Sequence, residues 1–342
     1  MGDITTGPGD AASCPAPQLT KENNLFMQIK VLPDGTVMRP EVPAVPAVPD
    51  AGHGAVVSRD VPLDAAHGTY LRLYLPSPPP ASRLPVVLYF HGGGFVILSA
   101  ASVFYHAHCE ALAAAAPALV ASLEYRLAPE HRLPAAYDDA AAALAWLRGA
   151  GGGAADPWVA RHADRARCFL MGSSSGANMA FFAGLRDLAT ATPTALRGLL
   201  LHQPYLGGVE RTASEAGSED DVMLPLEASD RLWSLALPVG ADRDHEFCNP
   251  AKALPPGALR GLPRCLVTGN RGDPLVDRQR DFARWLRDQG GVHVVAKTEH
   301  EGFHASELFV PDRAQELFAA VREFLLSESD ADDDAGAPDA SR

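Results

Sequence analysis

The sequence predicts an α/β protein with a mostly parallel central sheet and helices on both faces, and three observations predict it. Apolar runs of strand length recur along the chain, helix-length segments separate them, and the later runs are unbroken where the earlier ones alternate. Half-exposed strands near an edge alternate, whereas strands covered on both faces read as continuous apolar runs, so the sheet interior is expected to be parallel.

Taken in chain order, residues 1–24 read as disordered, and the chain stays irregular to about Gly54. The exception is Asn24 to Leu32, where Phe26, Ile29 and Val31 suit a short element leading into the turn Pro33-Asp34-Gly35. Glu41 to Asp50 is punctuated by proline and reads as an extended linker or covering strap. Strands follow at Ala55–Leu63, Thr69–Leu75, with Leu71, Leu73 and Leu75 on one face, and Pro85–Phe90. The buried type of run appears at Ala118–Glu124, Cys168–Gly172, Leu199–Gln203, Cys265–Gly269 and Val292–Lys297. Helix-length segments lie at Val103–Ala116, Ala135–Arg148, Gly176–Ala189, Asp277–Gln289 and Pro311–Leu326. Strand and helix alternating in this way give a doubly wound sheet, and no internal repeat points elsewhere.

Two segments break the rhythm. Tyr205 to Asn249 is richer in charge, glycine and proline, with Leu232, Trp233, Leu235 and Leu237 as apolar points, and is expected to join residues from about 25 to 54 in a cap over the strand ends. One domain from about 25 to 326 results. The tail, residues 327–342, carries six acidic residues against one arginine and is expected to be disordered and dispensable.

Composition narrows the function. The 342 residues hold 29 Lys plus Arg against 42 Asp plus Glu, a formal charge of −13, with no basic run, which argues against nucleic acid as a partner. Five cysteines, odd in number and without a CxxC pair, suggest neither a disulfide framework nor a zinc knuckle, and fit a reducing compartment. The start of the chain lacks a basic segment followed by an apolar core, and no apolar run reaches membrane-spanning length. Met1-Gly2 with Thr6 matches the loose myristoylation pattern, but Asp3 and the lack of a polybasic second anchor weigh against stable membrane association. The expected location is cytoplasmic, or also nuclear; no feature indicates an oligomeric state.

The most informative stretch is Gly172-Ser173-Ser174-Ser175-Gly176, which joins an apolar strand to a helix. This is G-x-S-x-G in the strand-turn-helix setting that raises a serine hydroxyl above the sheet edge, with glycines relieving the crowding there. Ser174 is the candidate nucleophile. Serine needs a base, an orienting carboxylate and donors for the oxyanion. His91-Gly92-Gly93-Gly94-Phe95 follows a buried strand directly and offers backbone N–H groups; Gly92, Gly93 and Gly94, with Ser175, are the oxyanion-hole candidates. A phosphate loop is disfavoured, since no Lys-Ser/Thr follows.

Asp273 and Asp277 share the loop after one strand, and His304 lies in the loop after the next. His304 is the candidate base and Asp273 its carboxylate; Asp277 competes, although it suits the first turn of the following helix. His300 is the nearest rival base. His91 is read as ordering the glycine loop, and His106 with His108 face different directions on a helix, which disfavours a metal pair.

These motifs together resemble the plant carboxylesterases of the hormone-sensitive-lipase-like branch of the α/β hydrolases: His91–Phe95 (HGGGF), the run Tyr125–Asp139, Gly172–Gly176 (GSSSG), Asp273–Asp277 (DPLVD) and Gly302-Phe-His304. The resemblance spans about Leu25 to Leu326. It implies the α/β-hydrolase fold, hydrolysis of small or medium carboxylic esters through an acyl-serine intermediate, no metal or dissociable cofactor, and Ser174, Asp273 and His304 as the triad. Tyr125–Asp139 is read as a brace beside the pocket. The same family includes gibberellin receptors that have lost the histidine and dehydratases in which some members carry Thr for Ser. Both positions are intact here, which favours an esterase over a hormone-binding receptor and leaves open a lyase that reuses the triad.

Overall fold

The computed structural model describes residues 20, 23–49, 54–190 and 194–327, so the expectations for the N-terminus and the acidic tail fall outside the described residues. A hairpin comes first, β1 (Lys30–Val31) and β2 (Val37–Met38), closed by the Pro33-Asp34-Gly35 turn, in which Asp34 accepts the Thr36 N–H. The main elements then run β3 (Val56–Asp64), β4 (Thr69–Pro76), β5 (Leu84–Phe90), α1 (Val103–Ala115), β6 (Leu119–Glu124) and α2 (Ala135–Arg148). Next come α3 (Pro157–His162), β7 (Ala163–Ser173), α4 (Ser175–Leu188), β8 (Leu196–His202), α5 (Ala213–Ala216), α6 (Leu226–Ala236) and α7 (Pro250–Ala253). The chain closes with β9 (Cys265–Asn270), α8 (Val276–Gly290), β10 (Val294–His300) and α9 (Pro311–Leu326).

Eight strands form one sheet in the order β10-β9-β8-β7-β5-β6-β4-β3. β3, β4 and β6 pair antiparallel in succession, and every pairing from β6 to β10 is parallel. The expectation is met by the alternating edge strand β3 and the buried runs of β5 to β9, but not by β10, which forms the opposite, half-exposed edge, nor by β4, which β3 and β6 flank and which is buried along most of its length. On one face Cys109 and Leu112 of α1 and Val321 and Phe324 of α9 cover Val87, Tyr89, Val120 and Met171. On the other, α2, α4 and α8 cover Leu88, Phe90, Leu170 and Val267. Each large apolar side chain so buried contributes about 1.5–3 kcal/mol, which is why these runs outweigh local propensity.

Boundaries differ where polarity masks pairing. β7 begins at Ala163, five residues before the apolar run, because the polar stretch Asp164–Arg167 extends the strand toward Leu84 and Pro85 of β5. α3 was not anticipated; Asp156 caps it by accepting from Trp158 N and Val159 N. β10 lies two to three residues later than expected, which carries His300 to the strand's exposed end.

The two irregular segments meet each other. Asn24 Nδ2 donates to the Val222 and Met223 carbonyls at 2.8 and 3.0 Å, and Arg231 donates to the Ile29 carbonyl. Trp233 of α6 stacks on Tyr205 with centroids 4.5 Å apart. The proline-rich strap is held along its length, Val45 N–H to the Ala101 carbonyl and Ser58 N–H to the Val48 carbonyl. Cys109, Cys168, Cys248 and Cys265 are buried and unpaired, and burial pushes all four thiols up, Cys109 and Cys168 to about 12. Among the described residues no helix is long and apolar enough to cross a membrane.

Candidate active site

Ser174 occupies the turn between β7 and α4 with φ 56 and ψ −120, a conformation disfavoured for any residue with a Cβ. The flanking glycines make it possible: a Cβ on Gly176 would lie 1.9 Å from the Phe90 carbonyl oxygen, and one on Gly172 would lie 2.2 Å from the Gly176 backbone. The turn is then pinned from outside by the His202 carbonyl, which accepts the Ser174 N–H at 2.9 Å.

The expected side chains converge on it. His304 Nε2 lies 2.9 Å from Ser174 Oγ, and His304 Nδ1 lies 2.9 Å from Asp273 Oδ2. Asp273 is 1% exposed, and its carboxylate also accepts from Gln279 Nε2 at 2.8 Å and Leu275 N–H at 2.9 Å. Burial lowers the His304 pKa, but the Asp273 charge and hydrogen bond outweigh it and leave the imidazole above its ordinary value.

The rivals stand elsewhere. Asp277 accepts the Ser214 N–H from α5, and His300, on the surface, lies 3.6 Å from Glu316. His106 contacts Tyr74 and Arg72, whereas His108 packs against Tyr89 and Phe318. Among the described residues no group of three or more His, Cys, Asp or Glu is placed to hold a metal ion.

The glycine loop lies beside the serine. A Cβ on Gly92 would come 3.2 Å from Ser174 Cβ, and one on Gly93, whose φ is 117, would come 2.1 Å from the Ile97 carbonyl oxygen. Gly94, at φ 62, backs onto Leu232. The Tyr105 hydroxyl lies close against Gly92, where a Cβ would come within 2.3 Å of it, and burial keeps that phenol well above its ordinary pKa. Ser175 is the first residue of α4, where helical N–H groups lack intrahelical acceptors. His91 orders this loop: its Nδ1–H donates to the Gly92 carbonyl at 2.8 Å, and its ring stacks on Tyr125 at 4.1 Å. Desolvation lowers the His91 pKa to about 4, so it is neutral.

The run Tyr125–Asp139 holds the same loop. Tyr125 Oη–H donates to the His91 carbonyl, Ala128 N–H donates to the Phe95 carbonyl, and Arg126 grips Asp139 through its backbone and its guanidinium. Tyr137 Oη–H reaches Asn178 Oδ1 on α4, and Asn178 Nδ2 donates onward to the Tyr205 and Phe247 carbonyls.

Above Ser174 and His304 opens a cavity of about 220 Å³, walled mainly by Phe26, Leu98, Phe104, Met223, Leu308 and Phe309. Phe26 and Met223 come from the two irregular segments that Asn24 ties together. Among the described residues this wall holds no Asp, Glu, Lys or Arg, and His304 is its one histidine. Sequence reasoning did not single out Gln279, Asn270 or Gln203 around the base; the available signal is a polar side chain at or just past the end of a buried strand for Asn270 and Gln203, and a polar residue in the first turn of α8 for Gln279.

Comparison with known proteins gives one consistent result. A family model described as alpha/beta hydrolase fold matches residues 87–308. The chain is 41% identical to probable carboxylesterase 8 of Arabidopsis thaliana, over 91% of this chain and 96% of that protein. It is also 41% identical to 3-O-acetylpapaveroxine carboxylesterase CXE2 of Papaver somniferum, over 78% of this chain and 90% of that one. Among solved structures, esterase LipW from Mycobacterium marinum superposes with a TM-score of 0.66 at 30% identity, covering 79% of this chain and 81% of that one.

Proposed function

The chain belongs to the plant carboxylesterases of the α/β-hydrolase family and is a carboxylic ester hydrolase, and from that premise we propose that Ser174, His304 and Asp273 carry the reaction. An ester enters the cavity with its carbonyl carbon against Ser174 Oγ. His304 Nε2 takes the hydroxyl proton as Oγ attacks, and Asp273 holds the Nδ1–H tautomer and stabilises the imidazolium that forms. Negative charge gathers on the former carbonyl oxygen, where the N–H groups of Gly93, Gly94 and Ser175 receive it; Gly92, where a Cβ would crowd Ser174 at 3.2 Å, supplies room for that approach. His304 then gives its proton to the leaving alkoxide, and by the reverse sequence activates a water that releases the acid from Ser174.

The observation that carries this reading is the pair of 2.9 Å contacts from one imidazole to Ser174 Oγ and Asp273 Oδ2. A receptor that merely binds needs no base so placed. We assign residues from about 25 to 54 and 205 to 249 to a cap, supported by the shared cavity wall. The substrate is a neutral, largely apolar ester of small to medium size, since an ionised group in that wall would lack a counter-charge. Nucleic acid and membrane have no part in this reading, and the unpaired, buried thiols support a reducing compartment such as the cytoplasm.

The test is turnover of p-nitrophenyl acetate and butyrate together with fluorophosphonate labelling. Ser174→Ala should lower kcat by about 10⁴- to 10⁶-fold and abolish labelling. Folded Ser174→Ala protein with undiminished turnover would overturn the assignment.

A further inference from the structure

Residues 202–205, at the end of β8, bond to Ser174 and to the two residues that flank His304. The His202 carbonyl accepts the Ser174 N–H at 2.9 Å, and the Tyr205 N–H donates to the Ser174 carbonyl at 3.0 Å. Between these two contacts Gln203 reaches to the other loop. Its Nε2 donates to the Phe303 carbonyl at 3.1 Å, and its Oε1 accepts the Ala305 N–H at 2.7 Å. One side-chain amide thus brackets His304 by the residues immediately before and after it.

The backbone geometry is consistent with a demanding local role. Gln203 is 1% exposed and has φ 46, and Ala305, the residue whose N–H it accepts, has φ 61. Both values lie in the left-handed region, which residues with a Cβ occupy only where the surroundings over-determine them. Gln203 is anchored in turn by its own N–H, which donates to the Thr268 carbonyl of β9 at 2.8 Å. The Phe303 carbonyl has a second donor in Asn270 Nδ2 at 3.0 Å, so the Ala305 side of the bracket depends more heavily on Gln203.

We propose that Gln203 is a positioning residue for the ester hydrolysis assigned above, fixing the His304 backbone to the strand end that also fixes Ser174, so that a single segment sets the nucleophile–base separation. The inference rests on the triad reading. Gln203 takes no proton and meets no substrate. It acts through His304, and its loss should weaken the transition state more than substrate binding.

Two variants test it beside Ser174→Ala. Gln203→Gly accepts φ 46 without strain and lacks both hydrogen bonds. Its kcat on p-nitrophenyl butyrate should fall about 10- to 100-fold with KM within about 3-fold, the signature of a misplaced catalytic group. Gln203→Glu keeps the acceptor for Ala305 but sets a carboxylate oxygen against the Phe303 carbonyl until it is protonated, and burial favours that protonation. Its kcat relative to wild type should therefore rise at least about 3-fold from pH 8 to pH 6. A folded Gln203→Gly protein with wild-type kcat, or one changed in KM alone, overturns the proposal. Should that variant not fold, a Gln203→Glu ratio that is flat with pH overturns it. If Ser174→Ala is inactive while Gln203→Gly is fully active, only the bracket fails; if Ser174→Ala keeps its turnover, the triad reading itself fails.

Discussion

Asp277 accepts the Ser214 N–H at 2.9 Å, a bond from the first turn of α8 to α5, while Asp273, four residues earlier, is turned inward to His304. Two carboxylates on one loop therefore have separate duties. Asp273→Asn should lower kcat by about 10⁴-fold, because the amide disfavours the productive tautomer and cannot stabilise the imidazolium. Asp277→Asn should leave kcat within about 3-fold, since its amide oxygen can still accept the Ser214 N–H and only a partly exposed charge is lost. Steady-state kinetics on one nitrophenyl ester separates the two.

The pH dependence of kcat/KM follows from the environment of His304. The base must be neutral to accept the serine proton, and although burial pulls its pKa down, Asp273 raises it above the ordinary 6.5. Activity should accordingly be complete on the alkaline side and fall as pH drops through a midpoint above 6.5. Measuring kcat/KM from pH 5 to 9 locates that limb; a midpoint below the ordinary histidine value contradicts the Asp273–His304 coupling.

Stability should have its own acid limb, set by different histidines. Desolvation lowers His91 and His108 to about 4, so the native protein leaves both neutral while the unfolded chain protonates them from 6.5 downward. Because the unfolded state binds the extra protons, stability is fully present above 6.5 and is lost as pH falls toward 4. His108 Nε2 is buried without a hydrogen-bond partner among the described residues, so His108→Phe should fold and flatten part of the slope. Melting temperatures between pH 7.5 and 4.5 for both proteins measure it.

Asn24 joins the segment before β1 to Val222 and Met223 in the cavity wall. Asn24→Ala should raise KM for butyrate and longer esters about 5- to 10-fold, as the two bonds to Val222 and Met223, worth about 1 kcal/mol each, are lost together with the local bonds from the Phe26 and Met27 N–H groups, all of them away from the reacting atoms. Its kcat for the acetate ester should stay near wild type. A fall in kcat with unchanged KM would place Asn24 in the chemistry instead.

Much of this architecture is legible in the sequence because its causes are local. Unbroken runs such as Val86–Phe90 and Leu199–Leu201 read as strands covered on both faces, although β8 starts at Leu196 and ends at His202, before Gln203, and the glycines around Ser174 answer the crowding of a tight strand-to-helix elbow. His304 could be named from its loop and chain order alone. What was hidden depends on contacts between distant segments. β7 extends through Asp164–Arg167 because Leu84 and Pro85 lie alongside, which residue polarity does not disclose. The choice between Asp273 and Asp277 turns on which way each side chain faces, and the grip of Gln203 on residues 303 and 305 spans 100 and 102 positions in sequence. No periodicity reaches that far.

Cys109, Cys168, Cys248 and Cys265 sit on α1, on β7, against Gly207 before α7, and at the start of β9. Protonated and sealed from solvent, each thiol is mute toward an alkylating dye until the layer that covers it parts. The sequence in which the four become labelled, mapped by mass spectrometry under gentle heating, would therefore chart which wall of the molecule yields first, with no engineered probe required.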